Sequence, residues 1–251
     1  MPPRVSIGLR RTGAWAAAAP ADGGWLSAPE QARLAAIALP RRRAQFIAGR
    51  WLARHVIAAA CGRTPEAWPL SAGDDGPPRL LVVPPGSSAI GTEMDLGLSH
   101  SGDHVCCAFG AGPVGIDIED TRRPRDWPAL AELVCSPAQR RHLDALDEVC
   151  RGDYFYALWT LKEAWVKQQG LGMSPDVFAG LEAVPVDEAV GDAPAHWSSH
   201  EGGEVPGHAL AWRGSDFAMA LVAPVGVEIA WLDGAQADIG PPTVWRITPR
   251  C

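Results

Sequence analysis

The sequence predicts a mixed α/β (α+β) protein, because strand-like and helix-like periodicities both occur in it. The stretches Val5 to Leu9 and Val114 to Ile118 alternate apolar residues with polar or small ones, which is typical of β-strands. Two longer stretches, 44–61 and 154–170, carry apolar residues at spacings of three and four, which is typical of helices. With 251 residues and 47% hydrophobic content, the chain can form one large domain or two small ones.

The composition excludes several classes of protein. A formal net charge of −7 argues against a general nucleic-acid binder, which would carry a basic excess. The apolar run from Ala14 to Ala19 is too short for a signal peptide, and no run approaches the ~18 residues of a membrane span. None of the six cysteines forms a C-x-x-C pair, so we interpret them as reduced core thiols of a cytoplasmic protein.

The first part of the chain predicts one strand followed by two helices. After the strand, Ser27 and Glu30 form a capping-box pattern that opens a helix over residues 28–38, and Pro40 ends it. The second helix runs from Ala44 to Cys61 and is closed by Gly62. On it, Arg50 and Arg54 share one stripe at a spacing of four, which by itself is typical of a solvated basic face.

A hairpin is predicted next, with a histidine near the end of its first strand. The strand from Met94 reaches Ser99, His100 and Ser101, and Val105–Phe109 returns beside it. An isolated histidine is usually a packed or surface residue, but one at a strand end can also donate to a phosphate oxygen. A G-x-S-x-G nucleophile motif is excluded because Ser101 stands where the second glycine is required.

The second part of the chain predicts more helix and strand in alternation. The turn Gly110–Pro113 is the predicted joint between the two halves, 1–112 and 113–251. The pattern after it predicts the following elements: an interrupted helix over 129–150, loops with one or two strands over 174–208, a hairpin of Ala209–Trp212 and Phe217–Val222, and a strand over Val227–Trp231. The tail 233–251 carries no assignable pattern.

Two acids share one face of the strand that begins at Val114. Asp117 and Glu119 are two residues apart, so their side chains point the same way. Gly115 precedes them on that face, and we expect it to leave the face open to a ligand. A solvated strand face is the ordinary interpretation of such a pair.

A helix farther along the chain supplies a candidate third acid. Its apolar stripe of Leu158, Leu161 and Trp165 predicts the core side. Trp159, Glu163 and Lys167 form a separate stripe at spacings of four, on which Glu163 and Lys167 are by themselves an ordinary surface pair. If Glu163 instead joins the two strand acids, the three carboxylates favour magnesium, which commonly binds substrate phosphates.

Three blocks of sequence together resemble the paired signature and upstream block of the 4′-phosphopantetheinyl transferases, closest to the longer, surfactin-synthetase-type branch. The blocks are Leu98–Ser101 (LSHS), Gly115–Glu119 (GIDIE) and Trp159–Lys167 (WTLKEAWVK). The likeness extends over about residues 5–222. It implies two similar α/β halves related by a pseudo-two-fold axis, with the active site in the crevice.

The resemblance also implies an activity, which is the magnesium-dependent transfer of 4′-phosphopantetheine from coenzyme A to a serine of an apo acyl or peptidyl carrier protein. Adenosine 3′,5′-bisphosphate is the product released. Glu163, or a metal-bound water that it orients, would be the base. The implied residues are the metal ligands Asp117, Glu119 and Glu163, the catalytic Glu163 and Lys167, and the coenzyme A contacts Arg43, Arg50, Ser99, His100, Lys162 and Lys167.

One departure from the family pattern and two rival functions remain. The family's Gly-Lys-Pro is Gly76-Pro77-Pro78 here, so that lysine contact is lost or replaced by Arg79. A different magnesium-dependent phosphotransferase or phosphohydrolase would use the same acids, although the chain has no G-x-x-x-x-G-K-[ST] loop. An inactive carrier-binding relative would have lost the acids. The branch is typically monomeric and serves secondary metabolism.

Overall fold

The computed structural model describes residues 3–72, 78–83, 94–123, 125–186, 207–232 and 239–249. The chain divides into two compact units, Met1–Val114 with Gly226–Ala237, and Gly115–Val225 with Asp238–Cys251. Each unit combines one sheet with one long helix and several shorter ones, so the predicted mixed α/β class is confirmed. The division at 112/113 and the pseudo-two-fold relation stay predictions.

The first unit is a four-stranded sheet in the order β2-β3-β1-β8. Strand β1 pairs with β3 in the antiparallel sense and with β8 in the parallel sense. Its elements are β1 Arg4–Arg11, α1 Thr12–Ala18, α2 Ala28–Ala36, α3 Pro40–Cys61, a 3-10 turn Pro65–Ala67, β2 Met94–Ser101, β3 His104–Ala111 and β8 Glu228–Trp231.

The two main helices of this unit follow the predicted signals closely. Ser27 and Glu30 form the complete capping box at the start of α2. Pro40 does more than end that region, because it occupies the first turn of α3, where its missing N–H costs nothing. Helix α3 stops before Gly62, whose φ of 77° suits a residue without a Cβ. Leu52 and Val56 of α3 are fully buried in the core of this unit.

The second unit is a five-stranded sheet in the order β4-β7-β6-β9-β5. The interruption predicted at Ser136 is confirmed, since this residue caps a new helix through a second capping box with Gln139. The elements are β4 Gly115–Asp120, α4 Trp127–Val134, α5 Pro137–Ala145, α6 Glu148–Gln168, α7 Pro175–Ala179, β5 Leu181–Pro185, β6 Gly207–Arg213, β7 Phe217–Pro224 and β9 Thr243–Pro249.

The acidic strand β4 is buried on both faces, so the ordinary interpretation of its acids as a solvated strand face is wrong. Helix α6 covers the face that carries the acids. Gly115 does not open this face to a ligand either, because a Cβ there would overlap the carbonyl oxygen of Ala164 on α6. The glycine instead allows the helix backbone to approach the strand closely.

Four of the cysteines match the prediction of reduced core thiols, namely Cys61, Cys106, Cys107 and Cys135, which are free and buried. Cys150 is free but exposed, and Cys251 lies outside the described residues, as does Pro77. Among the helices that the structure describes, none is both long and apolar enough to cross a membrane.

Candidate active site

Three carboxylates converge between β4 and α6 in the second unit. Asp117 and Glu119 project from one face of β4, and Glu163 projects toward them from α6. Each offers an oxygen, and these oxygens all lie within 4.8 Å of one another. The side chains are 2%, 9% and 12% exposed, respectively, so the cluster is almost completely removed from solvent. The geometric prediction that Glu163 joins the strand acids therefore holds in the structure.

Two cations and an indole surround the acids. Lys167 Nζ lies 2.5 Å from Asp117 Oδ1 and 3.6 Å from Glu163 Oε2. Glu119 accepts a hydrogen bond from Arg125 at 2.7 Å and another from Trp159 Nε1 at 3.2 Å. Pairing and hydrogen bonds offset part of the desolvation cost of burying these charges.

Arg125 is a contact that the sequence analysis missed. It follows β4 in a short basic stretch that includes Arg122 and Arg123. The sequence did contain a signal for this contact, namely arginines directly after a strand whose two acids point inward. Such acids need a nearby positive charge to compensate their own. Arg122 is used differently, because it pairs with Asp120 at 3.0 Å and with Asp216 at 3.2 Å.

Glu163 has a strongly altered affinity for protons. Burial is the largest cause, and the negative charge of Asp117 is the second; together with smaller effects they raise the pKa of Glu163 to about 8. The Lys167 ammonium acts in the opposite direction. Without a further positive charge, one of these clustered acids therefore holds a proton near neutral pH.

The chemistry of the donors fits a hard divalent cation. The ligand atoms that converge are all carboxylate oxygens, and no sulfur or imidazole belongs to the group. Oxygen-only donor sets suit magnesium or calcium rather than zinc or copper. A divalent ion would also compensate the excess negative charge that raises the pKa of Glu163.

The predicted phosphate contact of Lys162 is wrong. This lysine points to the opposite side of α6 and is fully buried. Its Nζ donates to Val134 O at 2.6 Å, Gln139 Oε1 at 2.8 Å and Phe178 O at 2.7 Å. Lys162 therefore connects α6 to the ends of α4 and α7 and to the start of α5.

The first unit contains a separate basic cavity of about 350 Å³. Arg50 and His100, both predicted to bind coenzyme A, lie in its wall, His100 from β2. The other charged lining residues, Arg33 and Arg42, were not predicted. The complete lining is Arg33, Ile37, Arg42, Gln45, Phe46, Arg50, Leu98 and His100.

Arg43 and Ser99 do not line this cavity. The Nη1 of Arg43 donates to Leu34 O at 2.5 Å and Ile37 O at 3.2 Å, so it satisfies the carbonyls at the end of α2. Its neighbour Arg42 occupies the cavity wall instead, and the coenzyme A contact of Arg43 stays a prediction. Ser99 is buried on the face of β2 opposite to His100. Arg79 lines a different cavity of about 570 Å³.

Comparison with known proteins identifies relatives of part of the chain. Residues 113–222 match the family model of the 4′-phosphopantetheinyl transferase superfamily. The transferase Sfp of Bacillus subtilis is 44% identical over 77 residues, which are 31% of this chain and 34% of Sfp. AcpT of Escherichia coli is 34% identical over 132 residues, 51% of this chain and 59% of AcpT.

A longer but more distant match is HetI of a Nostoc species, which is 28% identical over 174 residues, or 69% of this chain and 71% of HetI. The first three curated relatives are matched over only 52%, 34% and 59% of their own lengths.

Two solved structures resemble part of the chain. A holo-(acyl-carrier-protein) synthase from Bacillus anthracis, in complex with CoA, has 23% identity and a TM-score of 0.34 over 45% of this chain and 94% of its own. The synthase of Thermotoga maritima has 21% identity and a TM-score of 0.30 over 45% and 62%. The sequence matches are the stronger finding. The family model matches residues 113–222, the segment that contains the three acids and Lys167.

Proposed function

We propose that this protein transfers 4′-phosphopantetheine from coenzyme A to a serine of an apo acyl or peptidyl carrier protein. The observation that carries the proposal is the convergence of Asp117, Glu119 and Glu163 beside Lys167, within the segment that matches the superfamily. Such a group of acids and a lysine is suited to a diphosphate that arrives with a divalent cation.

Asp117, Glu119 and Glu163 would hold a magnesium ion, whose positive charge stabilises the diphosphate and the departing phosphate. The donor set supports this assignment, as does the burial of the acids. Trp159 and Arg125 fix the orientation of Glu119 through its two oxygens, which prepares the carboxylate for a ligand role.

The reaction is an in-line displacement at phosphorus. The serine oxygen forms a bond to the β-phosphorus of coenzyme A, and the bond from that phosphorus to the bridging diphosphate oxygen breaks. Adenosine 3′,5′-bisphosphate leaves with the bridging oxygen. Glu163 in its ionised form would accept the serine proton, since a positioned carboxylate can act as a general base.

Lys167 supplies a positive charge to the diphosphate. Its Nζ contacts Asp117 and Glu163 and is 29% exposed, so it can reach the substrate without leaving the cluster. A fixed cation stabilises negative charge that develops on the phosphate oxygens in the transition state.

The basic cavity of the first unit would receive the 3′-phosphate end of coenzyme A. Arg33, Arg42 and Arg50 offer guanidinium groups, which bind phosphate oxygens in pairs, and His100 is a further donor. Phe46 and Leu98 provide apolar walls beside them.

We also propose that the protein is a cytoplasmic monomer of the surfactin-synthetase-type branch that serves secondary metabolism.

The proposal is tested by incubating the protein with coenzyme A, magnesium chloride and several apo carrier proteins. Intact-mass spectrometry should show that a carrier gains one phosphopantetheine arm, and a Ser→Ala change at the carrier's modified serine should prevent the gain. Asp117→Ala and Glu163→Ala should abolish the gain while the protein stays folded.

If no carrier gains mass while the protein remains folded, the proposed activity is wrong. Cleavage of coenzyme A in the absence of any carrier would instead support the rival phosphohydrolase.

A further inference from the structure

Two buried arginines of α3 share one buried carboxylate in the first unit. Glu30 of α2 and Arg54 of α3 are both fully buried. The two Nη atoms of Arg54 donate to both oxygens of Glu30, at 3.0 and 2.5 Å. Arg50, one turn earlier on α3, has its Nε 3.9 Å from the same carboxylate. Glu30 is thus paired closely with Arg54 and only distantly with Arg50.

The closest partners of the two arginines differ in charge, since Arg54 contacts a carboxylate and Arg50 contacts neutral groups. Glu30 Oε2 also accepts the backbone N–H of Ser27 at 2.8 Å, so the carboxylate is occupied on both oxygens. Arg50 donates to the carbonyl oxygen of Ser71 at 2.8 Å, and its guanidinium lies 4.9 Å from the ring centre of Phe46. Both of these groups are neutral. Burial lowers the pKa of Arg50 to about 10, as expected for a cation whose charge is only partly compensated.

The partly compensated arginine is also the one that lines the basic cavity. Arg50 is only 7% exposed, and it shares the cavity wall with Arg33 and Arg42. Arg54 does not line this cavity. A phosphate in the cavity would supply the negative charge that Glu30 gives to Arg54 instead.

We propose that Arg54 is a positioning residue that holds Glu30 in a close bidentate pair and so leaves Arg50, whose Nε is 3.9 Å from that carboxylate, available to a phosphate monoester in the cavity. Arg54 itself does not touch the ligand. The inference rests on the proposed function, in which that monoester is the 3′-phosphate of coenzyme A.

Removing Arg54 should change which cation pairs with Glu30. Without the Arg54 guanidinium, Glu30 would be a buried carboxylate with the Nε of Arg50 3.9 Å away. Because an uncompensated buried charge is costly, the two would close into a direct pair, and Arg50 would lose its attraction for phosphate. If Glu30 is also neutralised, the carboxylate that would pair with Arg50 is removed, and phosphate binding returns.

The experiment is a double-mutant cycle measured by isothermal titration calorimetry with adenosine 3′,5′-bisphosphate. Arg54→Met should weaken binding about tenfold or more, which corresponds to the loss of about 1.4 kcal/mol. The double variant Glu30→Gln/Arg54→Met should bind within about threefold of wild type. Arg4→Met is the matched control, because it makes the same charge change in an exposed pair with Glu228 of the same unit. It should leave the affinity unchanged.

A merely structural salt bridge gives a different pattern, in which the double variant binds no better than Arg54→Met. That result overturns the inference, as does an Arg54→Met variant that binds like wild type. If circular dichroism shows that Arg54→Met is unfolded, Arg54→Lys takes its place. One ammonium covers Glu30 incompletely, so this variant should bind more weakly than wild type and recover when Glu30→Gln is added.

The inference and the proposed function fail in distinguishable ways. If wild type does not bind adenosine 3′,5′-bisphosphate, both this inference and the assignment of the cavity to coenzyme A are wrong. If the cycle behaves as expected but no carrier gains mass, the anion site with its positioning pair stands and the transfer activity does not.

Discussion

At the residue scale, two lysines of helix α6 show how burial decides the role of the same side chain. Lys162 is enclosed by two carbonyl oxygens and an amide oxygen, whereas Lys167 is paired with acids at the candidate site. From the sequence both had the same predicted contact with phosphate. Spacing along the helix separates them by five residues, which places them on different faces. The stripe of Trp159, Glu163 and Lys167 was predictable, but the buried partners of Lys162 come from segments without any pattern relation to it.

The two lysines should therefore respond differently to the same substitution. Lys162→Met removes the donor for three buried acceptors and should lower the free energy of unfolding by more than about 2 kcal/mol. Lys167→Met should change stability less but slow phosphopantetheine transfer by about 10²–10³. Urea denaturation and a carrier mass assay measure the two effects. An unchanged stability of Lys162→Met would contradict its structural role.

Glu163 gives the metal-free protein a specific pH dependence. Its pKa of about 8 in the folded state lies above the ordinary value of 4.5. Between these values the folded protein keeps a proton that the unfolded chain has lost, so the free energy of unfolding falls as the pH rises. The stabilising contribution is fully present below about pH 4.5 and is lost as the pH rises through about 8.

Glu163→Gln has no carboxyl group to titrate. It should therefore remove the part of the pH-dependent fall in the free energy of unfolding that comes from Glu163. In the presence of a metal chelator, the free energy of unfolding of the variant should rise relative to that of wild type as the pH increases. The relative gain between the two pKa values should be on the order of a few kcal/mol. Denaturant unfolding of both proteins from about pH 5 to about pH 9 measures the difference. A difference that stays constant with pH would show that Glu163 is ionised throughout.

At the element scale, the contact between β4 and α6 brings the acids together. Gly115 permits the close approach, since its missing side chain leaves room for Ala164 O. The sequence predicted both elements and the convergence of their acids, but not that the helix backbone packs directly on the strand. For that reason the role of Gly115 was misassigned to ligand access. A glycine beside functional acids indicates that something approaches the backbone closely, and here it is the helix rather than the substrate.

Gly115→Ala should therefore push α6 away from β4. We expect a loss of stability of at least about 1–3 kcal/mol from overpacking, together with weaker divalent-ion binding, because Glu163 moves with the helix. Gly152→Ala is a matched control on α6, where a Cβ meets no atom within 4 Å. That substitution should be neutral or stabilising by about 0.5–1 kcal/mol. Equal stability of the two variants, measured by urea denaturation, would contradict the proposed packing.

At the scale of the whole molecule, the chain leaves and re-enters each unit. Strand β8 lies late in the sequence, yet it pairs in parallel with β1 of the first unit. The tail strand β9 returns to the second unit and lies between β6 and β5. Hairpins such as β6–β7 are local and were predicted from alternation and turn residues. Pairings between distant segments leave no comparable local signal, which explains why β9 was not predicted.

The central claim is that Asp117, Glu119 and Glu163 form one divalent-cation site, and direct ion binding tests it most clearly. Manganese, a paramagnetic substitute for magnesium, can be titrated into the chelator-treated protein and followed by electron paramagnetic resonance. We expect about one bound ion per chain in wild type and a manganese affinity at least about tenfold lower in Asp117→Asn. The control variant Glu132→Gln, which changes an exposed acid of α4, should bind manganese like wild type. Wild type that binds no manganese, or Asp117→Asn that binds it equally well, would contradict the account.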